Sequence, residues 1–296
     1  MTQSSTKVTP SKSSPRRLGS LWDYVIHNFF QKRSAKFGAG ILIGIFVFVV
    51  AGSLLTPYSP YAPSPSIDAP PSLAHPFGTD YQGHDLLSQV VWGAYPSLLV
   101  ALASAFGAAM IGFFAGVFAG YFTKAEGVLS GSADAILTFP IIPLMILVGV
   151  LFIATDLVIA LMLIAFLWAP VTRAVRAQVS ALKRQSYVDA EKTSGLSDLS
   201  IVMRVIVPEV GAIAVAYFIL NVIFSVSIAT ALEFLGIGNP AVVSLGSILY
   251  WGQQFGFTAG AWWWIIAPGL LISLFATGFA LIGFSLEEVM NPRLTI

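Results

Sequence analysis

The sequence predicts an all-α integral membrane protein of six transmembrane helices with both termini on the cytoplasmic side. Three observations carry this expectation. Of 296 residues, 56% are hydrophobic and 10% charged. An ordinary soluble domain has roughly a quarter charged residues, so this chain lacks the polar surface a water-soluble globule needs. Six stretches are apolar over the roughly 20 residues a bilayer crossing requires: 37–55, 94–122, 129–153, 157–175, 207–232 and 264–284. All 15 Lys and Arg lie within 7–36, at 124, within 173–204 and at 293, while 56–93, 154–156 and 233–263 contain none. Basic residues accumulate on the cytoplasmic side, and six alternating spans give this partition only if both ends face the cytoplasm.

Residues 1–36 form the first unit, a cytoplasmic tail. Its first 20 residues, rich in Ser, Thr, Lys and Pro, read as disordered. Residues 21–36 are amphipathic and aromatic, and fit either a helix along the membrane face or an extension of the first span. The second unit, 37–296, is the transmembrane domain. Its first span follows a polar stretch far too long for a signal peptide's n-region, so an anchor is expected there. The outer connection 56–93 opens with closely spaced prolines that forbid regular helix, and continues with turn glycines at Gly78 and Gly83. The third span carries Asp134 near its cytoplasmic end, expected to reach the interface or pair with a cation. The fifth span carries Asn221 and Ser225, four apart and so on one face. They fit a water-filled translocation path or interhelical hydrogen bonds equally well. The outer connection 233–263 is long and glycine-rich, and Trp262, Trp263 and Trp264 read as an aromatic belt where the sixth span begins. No internal repeat is evident.

Several chemistries are excluded or disfavoured. There are no cysteines, hence no disulfide or thiolate chemistry. No G-x-x-x-x-G-K-[ST] or H-E-x-x-H occurs, so the chain has neither that phosphate loop nor that zinc motif. His27, His75 and His84 are scattered, and the two in the outer connection read as solvated turn residues rather than a metal site. The net charge of +1 gives no reason to expect nucleic acid. Neither catalytic residues nor a bound cofactor are expected.

The most polar stretch of the second half is YVDAEKTSGLSDLSIVMRVIVPEV, 187–210. Residues 187–194 read as a short helix whose small Ala190, Thr193 and Ser194 would let a partner approach the backbone. Gly195 suits a left-handed position just past the helix end. Ser197 or Asp198 would cap a second helix, in which Leu199, Val202, Met203 and Ile206 would pack on neighbouring spans, and Pro208 removes one hydrogen-bond donor. The result is a stiff helix–turn–helix facing the cytoplasm.

These residues resemble the cytoplasmic EAA loop of ABC importer permeases. Asp189-Ala190-Glu191 stands for Glu-Ala-Ala, Gly195 for the glycine, and the apolar stretch ending at Pro208 for the closing motif. Further resemblance, to dipeptide/oligopeptide-type permeases, runs over about residues 30–295. It is carried by HPFGTDYQGHDLLSQVVWGAYPSLLVAL, by LEFLGIG with the later LGSIL, and by WWWIIAPGLLISLFATGFALIGFSLEEVMNPRL. His84 and Gln89 stand where that group has arginines, Ala280 where it has asparagine, and Gly283-Phe284 where it has Gly-Asp.

The resemblance implies a type I ABC importer permease fold and the second permease subunit of a heterodimer in the cell membrane. The implied partners are another permease, two cytoplasmic ATPase subunits that hold ATP and Mg, and an extracytoplasmic binding protein, with lipid around the spans. It implies that the loop at about 183–208 couples to an ATPase through Asp189, Ala190, Glu191, Thr193, Ser194, Gly195 and Pro208. The solute is expected to be a peptide or an oligosaccharide. The rival expectation is a standalone ion-coupled secondary transporter, although the spans carry few of the mid-bilayer charges such a carrier uses.

Overall fold

The computed structural model describes residues 28–152, 154–239 and 241–290; the expectations for residues 1–27 and for Arg293 lie outside them. Helix α1 is Arg33–Leu55. Helix α2, Leu86–Tyr121, starts earlier than its apolar run because the Asp85 side chain caps it, accepting from the Ser88 N–H at 2.8 Å. Helices α3 (Thr123–Thr138) and α4 (Ile141–Leu151) replace the single third span expected and are bent by 88° at their junction. The cause is local. Pro140 has no N–H to continue the ladder, and the residue before a proline is driven out of the helical region; Phe139 sits at φ −83°, ψ 141°. Among the described residues five helices are long and apolar enough to cross a membrane, or six if the bent pair is one span.

Helix α5 runs Asp156–Leu182, and the short α6 is Ser186–Thr193. Helix α7 is continuous over Asp198–Phe234 but widens to a π-helix at Val202–Ile206. The outer connection after α7 is not a plain loop: it holds α8, Leu245–Trp251, prolonged by a π-helical turn at Gly252–Gly256. A reciprocal Ser244–Ser247 capping box starts α8. Helix α9 is Trp263–Met290.

Packing ties each end of the bundle together. At one end Arg176 pairs with Glu126 at 3.0 Å, Lys32 pairs with Glu288, and Lys183 donates to the Tyr121 carbonyl at 2.6 Å. At the other, the Trp264 indole donates to the Thr79 carbonyl at 3.0 Å and Ser97 accepts from the Leu245 N–H at 3.0 Å. Every described Lys and Arg lies in the turns of the first end or in the part of a helix nearest it. Between them α2 and α5 approach closely. Gly112, Gly116 and Gly120 face Val171, Val175 and Val179, and a Cβ added at Gly116 would lie 2.6 Å from the Val175 Cβ. Small residues permit such backbone approach where lipid offers helices no hydrophobic drive to associate.

Candidate functional site

The helix–turn–helix at 186–206 forms as its residues dictate. The N–H of Gly195 donates to the Lys192 carbonyl (3.1 Å) and that of Leu196 to the Glu191 carbonyl (3.4 Å), the paired bonds of a Schellman ending. Gly195 has φ +88°, the left-handed region a Cβ disfavours, and no atom lies within 4 Å of where one would stand. Ser197, rather than Asp198, caps the next helix through the Ser200 N–H at 3.3 Å.

One side of this element is anchored and the other is bare. Val188 is buried, and Leu196 packs beside it in a cluster containing Val117, Tyr121, Val175, Val179, Val202 and Ile206. A polar clasp adds to the anchor: Asp198 accepts from the Tyr121 hydroxyl at 2.8 Å and pairs with Lys192 at 3.6 Å. Facing outward are Asp189, Ala190, Thr193, Ser194 and Gly195, with Glu191 half-buried. The hydroxyls of Thr193 and Ser194 turn inward to the Ala190 carbonyl at 2.9 and 2.8 Å, leaving a low surface. Partial burial, with the Glu209 carboxylate as a smaller cause, raises the pKa of Tyr187.

The second helix departs from expectation. Val202 and Ile206 are fully buried, but Leu199 and Met203 are 57% and 49% exposed. The stretch Val202–Ile206 is π-helical and closes with the Val207 N–H donating to the Val202 carbonyl; Leu199 lies before it, so the wider turn does not account for that residue's exposure. Half-buried Pro208, which lacks an N–H, follows it.

Asn221 and Ser225 lie far along α7 from this element, and the fold does not bring them to it. Both are buried, and Asn221 Nδ2 and Ser225 Oγ have no hydrogen-bond partner among the described residues. Asp134 is exposed and makes no ion pair among the described residues.

His75 and His84 are not solvated turn residues. His75 bonds Asp85 at 2.9 Å and His84 bonds Asp80 at 2.8 Å, with His75 only 7% exposed. Gln89 donates to the same Asp80 oxygen at 2.8 Å, and the other takes the Gln82 and His84 N–H groups. His84 and Gln89 thus both serve Asp80, and the carboxylate holds the turn. No three metal-ligating side chains cluster among the described residues. Sequence reasoning missed Glu233 near the outer end of α7; its signal was an acid within an otherwise apolar stretch, LEFLGIG.

The family model described as "binding-protein-dependent transport system inner membrane component" matches residues 108–296. The chain belongs to that family. Residues 20–76 match the N-terminal transmembrane domain of oligopeptide transport permease C. A putative peptide transport system permease protein of Brucella suis is 33% identical over 273 residues, 90% of each chain. The oligopeptide transport system permease protein OppC of Salmonella typhimurium is 30% identical over 279 residues, 93% of this chain and 92% of its own. The dipeptide transport system permease protein DppC of Bacillus subtilis is 29% identical over 266 residues, 89% of this chain and 83% of its own. These relatives are named as permeases rather than ATPases, and as peptide rather than carbohydrate systems. The chain is accordingly a permease component of the inner membrane, of the peptide-importer type, and not an enzyme.

Proposed function

We propose that this chain is one of two permease subunits of an ATP-driven peptide importer and that its α6–turn–α7 element docks on a separate ATPase subunit. In this reading both termini are cytoplasmic, ATP and Mg are held by the ATPases, and an extracytoplasmic binding protein delivers the peptide. One observation carries it: the element is bare on its outward face, yet keyed through Val188 and Leu196 into a valine-rich cluster spanning α2, α5 and α7. Closely packed interiors transmit displacement instead of absorbing it. When the ATPases close, α6 is carried with them, and the cluster passes that motion to three spanning helices as a rigid-body shift. Exposed Leu199 and Met203 extend the contact surface beside α6. Asp189, Ala190, Glu191, Thr193, Ser194 and Gly195 supply its small and acidic face, and Pro208 the start of the spanning part of α7. Asn221 and Ser225 remain candidates for the path only if helix movement uncovers them.

The test is reconstitution with the second permease, ATPases and binding protein of the same system. Uptake of trialanine is expected to require ATP and to stop when ATP hydrolysis is disabled by mutation. Uptake that persists with a disabled ATPase and follows an ion gradient would establish a secondary carrier instead.

A further inference from the structure

We infer that the outer end of the permease holds a receptor for a primary ammonium group, formed by Glu233 and Asp156. This rests on the peptide-importer reading above and on that end being extracytoplasmic. Five described acids belong to the end that lacks Lys and Arg: Asp68, Asp80, Asp85, Asp156 and Glu233. Asp80 and Asp85 are engaged by His84 and His75 and by backbone N–H groups. Glu233 differs. It is 8% exposed, yet no Lys, Arg or His among the described residues pairs with it. Its Oε2 accepts from the Ser244 hydroxyl at 2.8 Å and from the Gly246 N–H at 3.2 Å, while no hydrogen bond to Oε1 occurs among the described residues. The position is built for it: a methyl group at Gly246 would overlap Oε2.

Glu233 opens into a cavity of about 140 Å³ that Asp156, Tyr250 and Trp251 also line. A buried carboxylate without a cation is costly, and two carboxylates beside aromatic rings form the environment a cation completes. The volume suits an ammonium group and its neighbouring carbon, not a whole peptide. A second cavity of about 430 Å³ adjoins it, sharing Val242, Ser247 and Trp251. It has the room for following residues and carries the rings of Tyr61, Tyr81 and Trp264. The pair therefore fits a linear peptide entering with its amino terminus seated at Glu233.

The test uses the assembled permease–ATPase complex without binding protein, titrated with trialanine amide, N-acetyl-trialanine amide and calcium chloride. Binding is read by the fluorescence of Trp251, with Trp251→Phe as the blank. Trialanine amide is expected to give a saturable change that the acetylated compound does not. Glu233→Gln keeps an acceptor for Ser244 and Gly246, so it should fold, yet weaken that response by at least about tenfold; Asp156→Asn should weaken it less. No response in the wild type, an equal response to the acetylated compound, an undiminished response in Glu233→Gln, or saturable calcium binding lost in Glu233→Gln would overturn the assignment. ATP-dependent uptake of trialanine by the same complex, reconstituted in vesicles with its binding protein, separately reads the importer assignment, so the two fail independently.

Discussion

Substitutions at Gly195 separate two contributions of the turn, its backbone conformation and its bare surface. At φ +88° any β-carbon strains the backbone, by about 1–2 kcal/mol for a left-handed residue. No atom within 4 Å opposes a β-carbon, so steric overlap inside this chain adds nothing. Gly195→Ala therefore tests strain alone, and Gly195→Asn tests a side chain that tolerates the left-handed region. Gly195→Trp adds strain and a large ring on the face proposed to meet the ATPase. If all the strain were expressed as weaker docking, Gly195→Ala would lose about tenfold, since 1.4 kcal/mol is one decade. The Val188–Leu196 anchor lies on the opposite side and is untouched. Gly195→Asn should fall between Ala and wild type, and Gly195→Trp should abolish docking while insertion and thermal stability stay near wild type. The assay is co-purification of the ATPase with each variant, together with ATP-dependent uptake. Wild-type uptake by Gly195→Trp would refute the docking role of this face. A Trp defect no larger than the Ala defect would show that strain, not surface, is what matters.

Two further predictions concern the scaffold. Gly116→Leu should lower the unfolding midpoint of the detergent-solubilised protein by several degrees, because its Cβ would meet both the Val175 Cβ (2.6 Å) and the Thr172 carbonyl oxygen (2.8 Å); overpacking of this kind costs about 1–3 kcal/mol. Gly127→Leu, with nothing within 4 Å, should be close to neutral in the same measurement. The absence of cysteine makes single-cysteine labelling clean: in right-side-out vesicles, a membrane-impermeant maleimide should label Ala62→Cys and spare Thr193→Cys, and the reverse pattern would refute the orientation.

The apolar runs and the Lys and Arg partition made the helical membrane class legible because both follow from the solvent rather than from packing. Span ends were less legible because caps fixed them. Asp85 starts α2 in a polar stretch, and Ser244 starts α8 within a run that reads as loop. Pro140 was visible, but the sharpness of the bend was not, since no sequence pattern states how much packing will resist an 88° turn. The α6–turn–α7 element was the most legible part: Gly195 and Ser197 are local signals, and local bonds decide the turn. Its second helix misled because helical spacing alone does not say how wide a face the spans cover: Ile201, Val202 and Ile206 are buried, while Leu199 and Met203 are not.

That failure bears on coupling. The π-helical turn at Val202–Ile206 lies ahead of a proline and keeps α7 continuous from the proposed docking element into the bundle, while Leu199 before it and Met203 within it are exposed. Val202 and Ile206 are buried against the spans, and in the proposed docking Leu199 and Met203 extend the surface offered to the ATPase. A push on the exposed face then acts on the same rigid rod that holds the core, which an element joined by a flexible loop would not achieve.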